Sequence, residues 1–387
     1  MDITIQPRKL RGSVKAIASK SMAHRLLIMS AFADGPTDLL LNKTNQDIEA
    51  TAECLCALSA NVVATDYGYH IEPINAVPEQ AILPCRESGS TLRFMLPIVG
   101  ALGVGGTFIM EGRLPERPLS PLWEEMVRMG CHLSRPTTDT ILCTGKLVPG
   151  AYSIAGNVSS QFISGLLFAH SLMEKPSTLK ITEPIESAPY IQMTKDAISM
   201  FGPRKHTPGK IAVEGDWSNG AFFLAAASLG SDVKISGLNP DSHQGDQAVS
   251  ELLKQLSDYC TISAADIPDL VPILSVVAAA NKGAKFTDIR RLRAKESDRV
   301  ASVVSMIQNL GGKAEATDNT LTIHPSKLMG GIVNSYNDHR IAMSAAVAAT
   351  ICKNDVTILD AHCVSKSYPS FWEEYIRLGG QYEQYLR

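Results

Sequence analysis

Residues 87–95, Glu-Ser-Gly-Ser-Thr-Leu-Arg-Phe-Met, pass from a turn of small and polar residues into a helix dense in apolar side chains. The same passage occurs five more times, at Ser19-Lys-Ser-Met-Ala-His-Arg-Leu-Leu, Val158-Ser-Ser-Gln-Phe-Ile-Ser-Gly-Leu-Leu, Asp216-Trp-Ser-Asn-Gly-Ala-Phe-Phe-Leu-Ala, Ile267-Pro-Asp-Leu-Val-Pro-Ile-Leu and Asn337-Asp-His-Arg-Ile-Ala-Met-Ser-Ala. In chain order their starts are 68, 71, 58, 51 and 70 residues apart. Such recurrence marks a repeated supersecondary unit. Six copies of one α/β unit, three per domain, account for a length of 387 residues, which by itself suggests two or three domains.

The middles of these six helices are apolar on most sides, so each is covered by neighbours. Their polar residues are gathered at the N-terminal ends. Ser, Asp and Asn there are ordinary N-caps taken singly. Six such ends facing one space would form an anion-collecting cleft, because each helix start offers unpaired N–H groups and a partial positive charge. A second, amphipathic helix follows several units, at Asp47–Ser59, Pro118–Gly130, Tyr190–Phe201, Asp246–Ser257 and Glu296–Leu310. Short alternating strands such as Leu321-Thr-Ile-His come after. The fold class expected is α/β with mixed sheets.

Composition narrows the function. With 36 Lys+Arg against 39 Asp+Glu and a net charge of −3, the chain lacks the basic surplus of a general nucleic-acid binder. An anionic ligand must therefore be met by a local cluster of cations. The start, MDITIQPRKLRG, has no apolar core of the kind a signal peptide needs. The uncharged run Phe94 to Met110 is broken by Pro97 and four glycines, so no membrane span is expected. The eight cysteines are scattered, without the paired spacing of a metal site. They are expected to be reduced thiols in a cytoplasmic protein.

The cations fall at turns and helix starts: Lys20, Arg25, Arg93, Arg113, Arg117, the run Arg291, Arg293, Lys295 and Arg299, then Arg340 and Lys366. Singly, each would pass as a solvated surface charge. As a set they mark a place for phosphates and carboxylates.

The motifs SKSMAHR, ESGSTLRF, LPERPL, VSSQF, EGDWSN, IPDL, RAKESDR, YNDHRIAM and VSKSYPSF stand in the order and approximate spacing of the 5-enolpyruvylshikimate-3-phosphate synthases. The chain resembles that family from about Ile5 to Phe371. The resemblance implies two domains, each of three repeated α/β units in an inside-out α/β barrel arrangement, with the active site in the cleft between them. It places residues 1–18 with 215–387 in one domain and 19–214 in the other. It further implies transfer of the enolpyruvyl group of phosphoenolpyruvate to the 5-hydroxyl of shikimate 3-phosphate, with release of phosphate and with no metal or cofactor. Such a step in chorismate and aromatic amino-acid biosynthesis needs no nucleic acid, membrane or partner chain, and a monomer is expected.

Carried over residue by residue, the resemblance assigns Lys20, Ser21, Arg25, Ser159, Ser160, Gln161, Ser187, Tyr190, Asp269 and Lys295 to shikimate 3-phosphate. It assigns Lys20, Gly89, Arg117, Gln161, Arg299, Arg340 and Lys366 to phosphoenolpyruvate. Asp269 becomes the proton acceptor and Glu296 the proton donor, with Lys20 beside them in the catalytic set. Without the family, Asp269 would pass as a helix-start carboxylate and Glu296 with Arg299 as an i,i+3 surface pair. His339 could be a base, but a structural histidine fits as well.

Three residues depart from the common family pattern: Glu87 where many members have Asn, Phe94 where many have Pro, and Arg291 where some have Asn. The short spacings of 58 and 51 point to a larger departure. The usual strand pair is nearly absent between Phe201 and Glu214 and between Ser257 and Pro268, so one unit in each domain is expected to be trimmed. Two alternatives stand beside this reading. The sister enzyme acting on UDP-N-acetylglucosamine usually carries a reactive Cys before its Arg-Pro, and Glu111-Gly-Arg-Leu-Pro-Glu-Arg-Pro has none. A binding protein that has lost turnover is opposed by the intact Asp269, Glu296 and Lys20.

Overall fold

The computed structural model describes residues 1–202 and 209–385. Two compact units emerge: Met1–Ile17 with Gly215–Arg387, and the continuous segment Ala18–Glu214. Ala18 belongs with the continuous unit, where its N–H donates to Asn42 Oδ1 at 2.8 Å.

Three sheets make up the continuous unit. In one, Lys210–Ala212 runs parallel to Thr37–Leu40, which is followed outward by antiparallel Gly68–Glu72 and Asn61–Thr65. In the next, Gln80–Arg86, Gly105–Met110, Thr140–Gly145 and Cys131–Thr137 repeat the same plan of a parallel pair and an antiparallel hairpin. The third sheet is only the parallel pair Ala151–Ala155 and Thr178–Thr182. A parallel pair needs a crossover, and the helices Gly89–Leu102 and Ser160–Leu172 supply two of them.

These two helices are buried almost throughout and pack on each other. Gly165 permits this, because a Cβ there would lie 2.2 Å from the carbonyl oxygen of Arg93. Around them lies one apolar core that includes Leu26, Phe94, Met95, Phe108, Phe162 and Phe168. The amphipathic helices are Gln46–Ala57, Leu122–Arg128 and Ala188–Phe201.

The other unit repeats the plan. Cys260–Ser263, Ala284–Thr287, Thr320–His324 and Lys313–Ala316 form one sheet of parallel pair plus hairpin. Gly331–Asn334 and Val356–Leu359 form the parallel pair of a second, completed by Asp2–Gln6 and then Gln381–Tyr385. Asp232–Ser236 and Arg11–Lys15 are a parallel pair alone. The helices Trp217–Ser228, Val271–Ala280 and His339–Ala349 are its buried ones, set in a second apolar core.

Each unit thus has two four-stranded sheets and one two-stranded sheet among the described residues. In the shortened repeat of the second unit, helix Val249–Gln255 leads at once to Cys260–Ser263, which is already the first strand of the next sheet. The corresponding stretch after Phe201, where trimming is also expected, includes residues 203–208, which lie outside the described residues.

Several elements differ from expectation. Glu296 is not inside a helix but precedes Arg299–Asn309, and the amphipathic helix expected from Asp246 begins as a short 3-10 turn, Gly245–Ala248. Residues 118–121 stay outside helix Leu122–Arg128, since Pro118 and Pro121 leave no N–H to continue it.

Candidate active site

In the continuous unit, Ser19 caps the first buried helix, its Oγ accepting from the Met22 N–H at 3.4 Å. Lys20 and Ser21 are therefore the opening residues of helix Lys20–Ala31. Lys20 Nζ pairs with Asp47 Oδ2 at 2.8 Å. Arg25, one turn on, is 2% exposed and fully engaged. It donates to Thr194 Oγ1 at 2.8 Å, to the Ser21 carbonyl at 2.6 Å and to the Tyr190 carbonyl at 2.8 Å. Its guanidinium also lies 5.2 Å from the centre of the Phe94 ring, which gives the departure from Pro at 94 a physical role. Burial lowers the Arg25 guanidinium to about 10.

Ser159 caps helix Ser160–Leu172, accepting from the Gln161 N–H at 3.3 Å, and Ser160 is buried. The Gln161 carboxamide is held at both ends: Arg93 Nη1 donates to its Oε1 at 2.7 Å, and its Nε2 donates to Ser90 Oγ at 2.8 Å. Gly89 opens helix Gly89–Leu102 beside Arg117, where a Cβ would come within 2.6 Å of Nη1. Only glycine lets that guanidinium approach the helix start so closely. Ser187 is buried with φ of +57°, a left-handed backbone that a serine adopts at a cost. It leads into helix Ala188–Phe201, which carries Tyr190.

In the second unit the charges converge on one guanidinium. Arg299 is fully buried and donates from Nε to Asp338 Oδ2 at 3.0 Å, from Nη1 to Asp269 Oδ1 at 2.7 Å and from Nη2 to Glu296 Oε2 at 2.6 Å. Arg340 Nη2 takes the other oxygen of Asp269 at 2.9 Å, and Lys295 Nζ stands 3.9 Å from Asp269 Oδ1. Asp338 also caps helix His339–Ala349, accepting from the Arg340 N–H at 3.0 Å. Lys366 Nζ donates to the Asn337 carbonyl at 3.2 Å.

The electrostatics follow from this crowding. Burial alone would raise the Asp269 carboxyl, but the charges of Arg340, Lys295 and Arg299 outweigh it and hold the group well below the usual carboxylate range. Burial lowers Lys295 to about 8, with Arg299 and Arg291 adding to the effect and Asp269 opposing it. Asp246, fully buried and bonded to the Ser218 hydroxyl, is raised to about 7 by burial and then by the charge of Asp269.

The readings that Asp269 and Glu296 would have without the family do not hold here. Asp269 is not a helix-start carboxylate, because helix Val271–Ala280 begins after it without a side-chain cap. Glu296 and Arg299 are no surface pair, since the guanidinium is fully buried. His339 is buried at 1% exposure. Of the departures, Arg291 donates to the Ala265 carbonyl at 2.7 Å, and Glu87 lies against Gly112, where a Cβ would meet its Oε2 at 2.5 Å. Arg93 stands among the cations singled out in the sequence but with no contact assigned to it, and nothing there singles out Asp47 or Asp338 for a role. Asp338 looks like any N-cap, and Asp47 like any acidic residue in a first turn. Among the described residues no three His, Cys, Asp or Glu side chains gather as a metal site.

Comparison with known proteins bears on this arrangement. The model of the EPSP synthase family, described as 3-phosphoshikimate 1-carboxyvinyltransferase, matches residues 5–266 and 258–375. A 3-phosphoshikimate 1-carboxyvinyltransferase of Clostridium beijerinckii is 36% identical over an aligned length of 429, covering 99% of each chain. That length exceeds the 387 residues here, so this relative carries segments that the present chain lacks. A Clostridium perfringens protein of the same name is 36% identical over 416 residues, with 98% of each chain covered. An EPSP synthase structure from Acinetobacter baumannii superposes with a TM-score of 0.79 at 22% identity, over 99% of this chain and 100% of that one. The enolpyruvyl transferase NikO of Streptomyces tendae superposes at 0.78 with 16% identity, over 99% and 98% of the two chains.

Proposed function

The chain belongs to the EPSP synthase family, and from that premise we propose how its own residues carry the family's reaction. The enzyme transfers the enolpyruvyl group of phosphoenolpyruvate to the 5-hydroxyl of shikimate 3-phosphate and releases phosphate, a step of the shikimate pathway. One observation supports the assignment of roles: a single buried guanidinium, Arg299, joins Asp269 to Glu296. The reaction needs one group to take the hydroxyl proton and another to protonate the vinyl methylene. Asp269 takes the first role and Glu296 the second.

Arg299 and Arg340 pair with the protein's own carboxylates. The carboxylate and phosphate of phosphoenolpyruvate compete for those guanidinium groups, with Lys366, Arg117 and Gly89 as further ligands. Drawing cationic charge away from Asp269 raises its proton affinity, so the base strengthens once substrate is in place. The same competition takes Arg299 from Glu296 and lets that carboxyl carry a proton. Lys20, whose ammonium pairs with Asp47, is the third residue of the catalytic set and binds both substrates. Ser21, Arg25, Ser159, Ser160, Gln161, Ser187, Tyr190 and Lys295 bind shikimate 3-phosphate.

Both units are needed, because the residues assigned to each substrate are drawn from 1–18 with 215–387 and from 19–214. The active form proposed is a monomer. Both substrates are charged metabolites, which favours the cytoplasm, and among the described residues no helix is long and apolar enough to cross a membrane. A phosphate-release assay with phosphoenolpyruvate and shikimate 3-phosphate tests the assignment. Release with UDP-N-acetylglucosamine as acceptor, and none with shikimate 3-phosphate, would overturn it.

A further inference from the structure

Arg93, itself in ESGSTLRF, touches two other motif segments at once, VSSQF and LPERPL. Its Nη1 donates to Gln161 Oε1 at 2.7 Å, its Nη2 donates to the Pro118 carbonyl at 3.2 Å, and its guanidinium lies 5.3 Å from the centre of the Phe162 ring. The side chain is 5% exposed, so these contacts are made largely out of water. Guanidinium has donors only. It can face nothing but the oxygen of the Gln161 carboxamide, which turns the NH₂ group the other way. One of those two hydrogens goes to Ser90 Oγ at 2.8 Å. The second is then presented as a donor, which is the polarity an anionic or hydroxyl-bearing ligand needs.

The second contact acts on the neighbouring site. Pro118 follows Arg117 directly, so a bond to its carbonyl fixes the backbone from which the Arg117 guanidinium extends. Resting on the function proposed above, we propose that Arg93 is a positioning residue that sets the donor polarity of Gln161 and the place of the Arg117 segment. The two anion-binding turns are thereby assembled before either substrate arrives. Lysine cannot substitute fully, since a single ammonium does not reproduce a planar fork reaching two acceptors.

The full chain is tested as Arg93→Met and Arg93→Lys, each alone and combined with Gln161→Ala. Arg93→Met is expected to raise KM for both substrates by about tenfold to a hundredfold, with Arg93→Lys recovering part of that loss. Removing Gln161 should cost about tenfold beside Arg93 but less than about threefold beside Met at 93, because the carboxamide is already misdirected there. In parallel, the side-chain amide signals of Gln161, identified by their loss in Gln161→Ala, should move in both Arg93 variants without substrate. Those spectra need no turnover, so a wild-type chain without activity would overturn the proposed function while Arg93 is still judged. Unmoved Gln161 signals, unchanged KM values with only a lower Tm, or losses that multiply fully in the double variant would each overturn the proposal.

Discussion

Glu296 and Asp269 share one guanidinium, and this makes conservative changes at either position informative. Glu296→Gln keeps the oxygen that accepts from Arg299 at 2.6 Å but cannot cycle a proton. Turnover should fall by about 10²–10⁴-fold, while calorimetry should find shikimate 3-phosphate binding little changed. Binding lost in proportion to rate would make Glu296 a ligand instead of the acid. Lys295 gives a pH signature. Its value of about 8 lies below the ordinary 10.5, so between these the unfolded chain holds a proton that the folded chain has released. This group's contribution to stability therefore rises with pH across that window. Ligand affinity runs the other way, because the ammonium is what meets the phosphate. Shikimate 3-phosphate should bind about fivefold more weakly at pH 9 than at pH 8, and Lys295→Arg should abolish that dependence. An equal slope in both proteins would place the titrating group elsewhere.

At the level of elements, the contact between helices Gly89–Leu102 and Ser160–Leu172 governs how closely Arg93 meets Gln161. Gly165→Ala puts a methyl group 2.2 Å from the Arg93 carbonyl oxygen, and backbone must shift to admit it. A loss of about 1–3 kcal/mol of stability is expected from urea unfolding, together with higher KM values for both substrates. Stability unchanged would show that the helices can slide apart without cost. Helix starts are also where sequence is most readable. Ser19, Ser88, Ser159, Asp216 and Asp338 each cap the helix that its motif announces, because a cap acts within three residues. Strand pairing is a different matter. Nothing local in Lys210–Ala212 says that it lies beside Thr37–Leu40, and Arg11–Lys15 finds its partner only at Asp232–Ser236. The site divides in the same way. Lys20, Gln161 and Asp269 take their roles from the motifs they stand in, whereas those of Asp47, Arg93 and Asp338 depend on which distant cation or amide each one meets, although the last two also lie inside motifs.

On the scale of the whole molecule, one unit is inserted into the other. The inserted segment begins and ends at a single hydrogen bond, from the Ser19 N–H to the Glu214 carbonyl at 2.8 Å, and it has an apolar core of its own. Residues 18–214 expressed alone should therefore show one cooperative thermal transition by circular dichroism. A broad, featureless melt would mean that the remaining chain is required to hold this core together. The enclosing unit has no such independence in time. Its strand Asp2–Gln6 lies between Val356–Leu359 and Gln381–Tyr385, so that strand leaves the ribosome long before the two it pairs with. At about 5–20 residues per second that interval is roughly 20–70 s. Throughout it, Ile3 and Ile5, fully buried in the finished protein, have no sheet to enter. Anything that slows translation beyond residue 214 prolongs that exposure, and its cost will be counted in soluble yield long before it is seen in the rate of a purified enzyme.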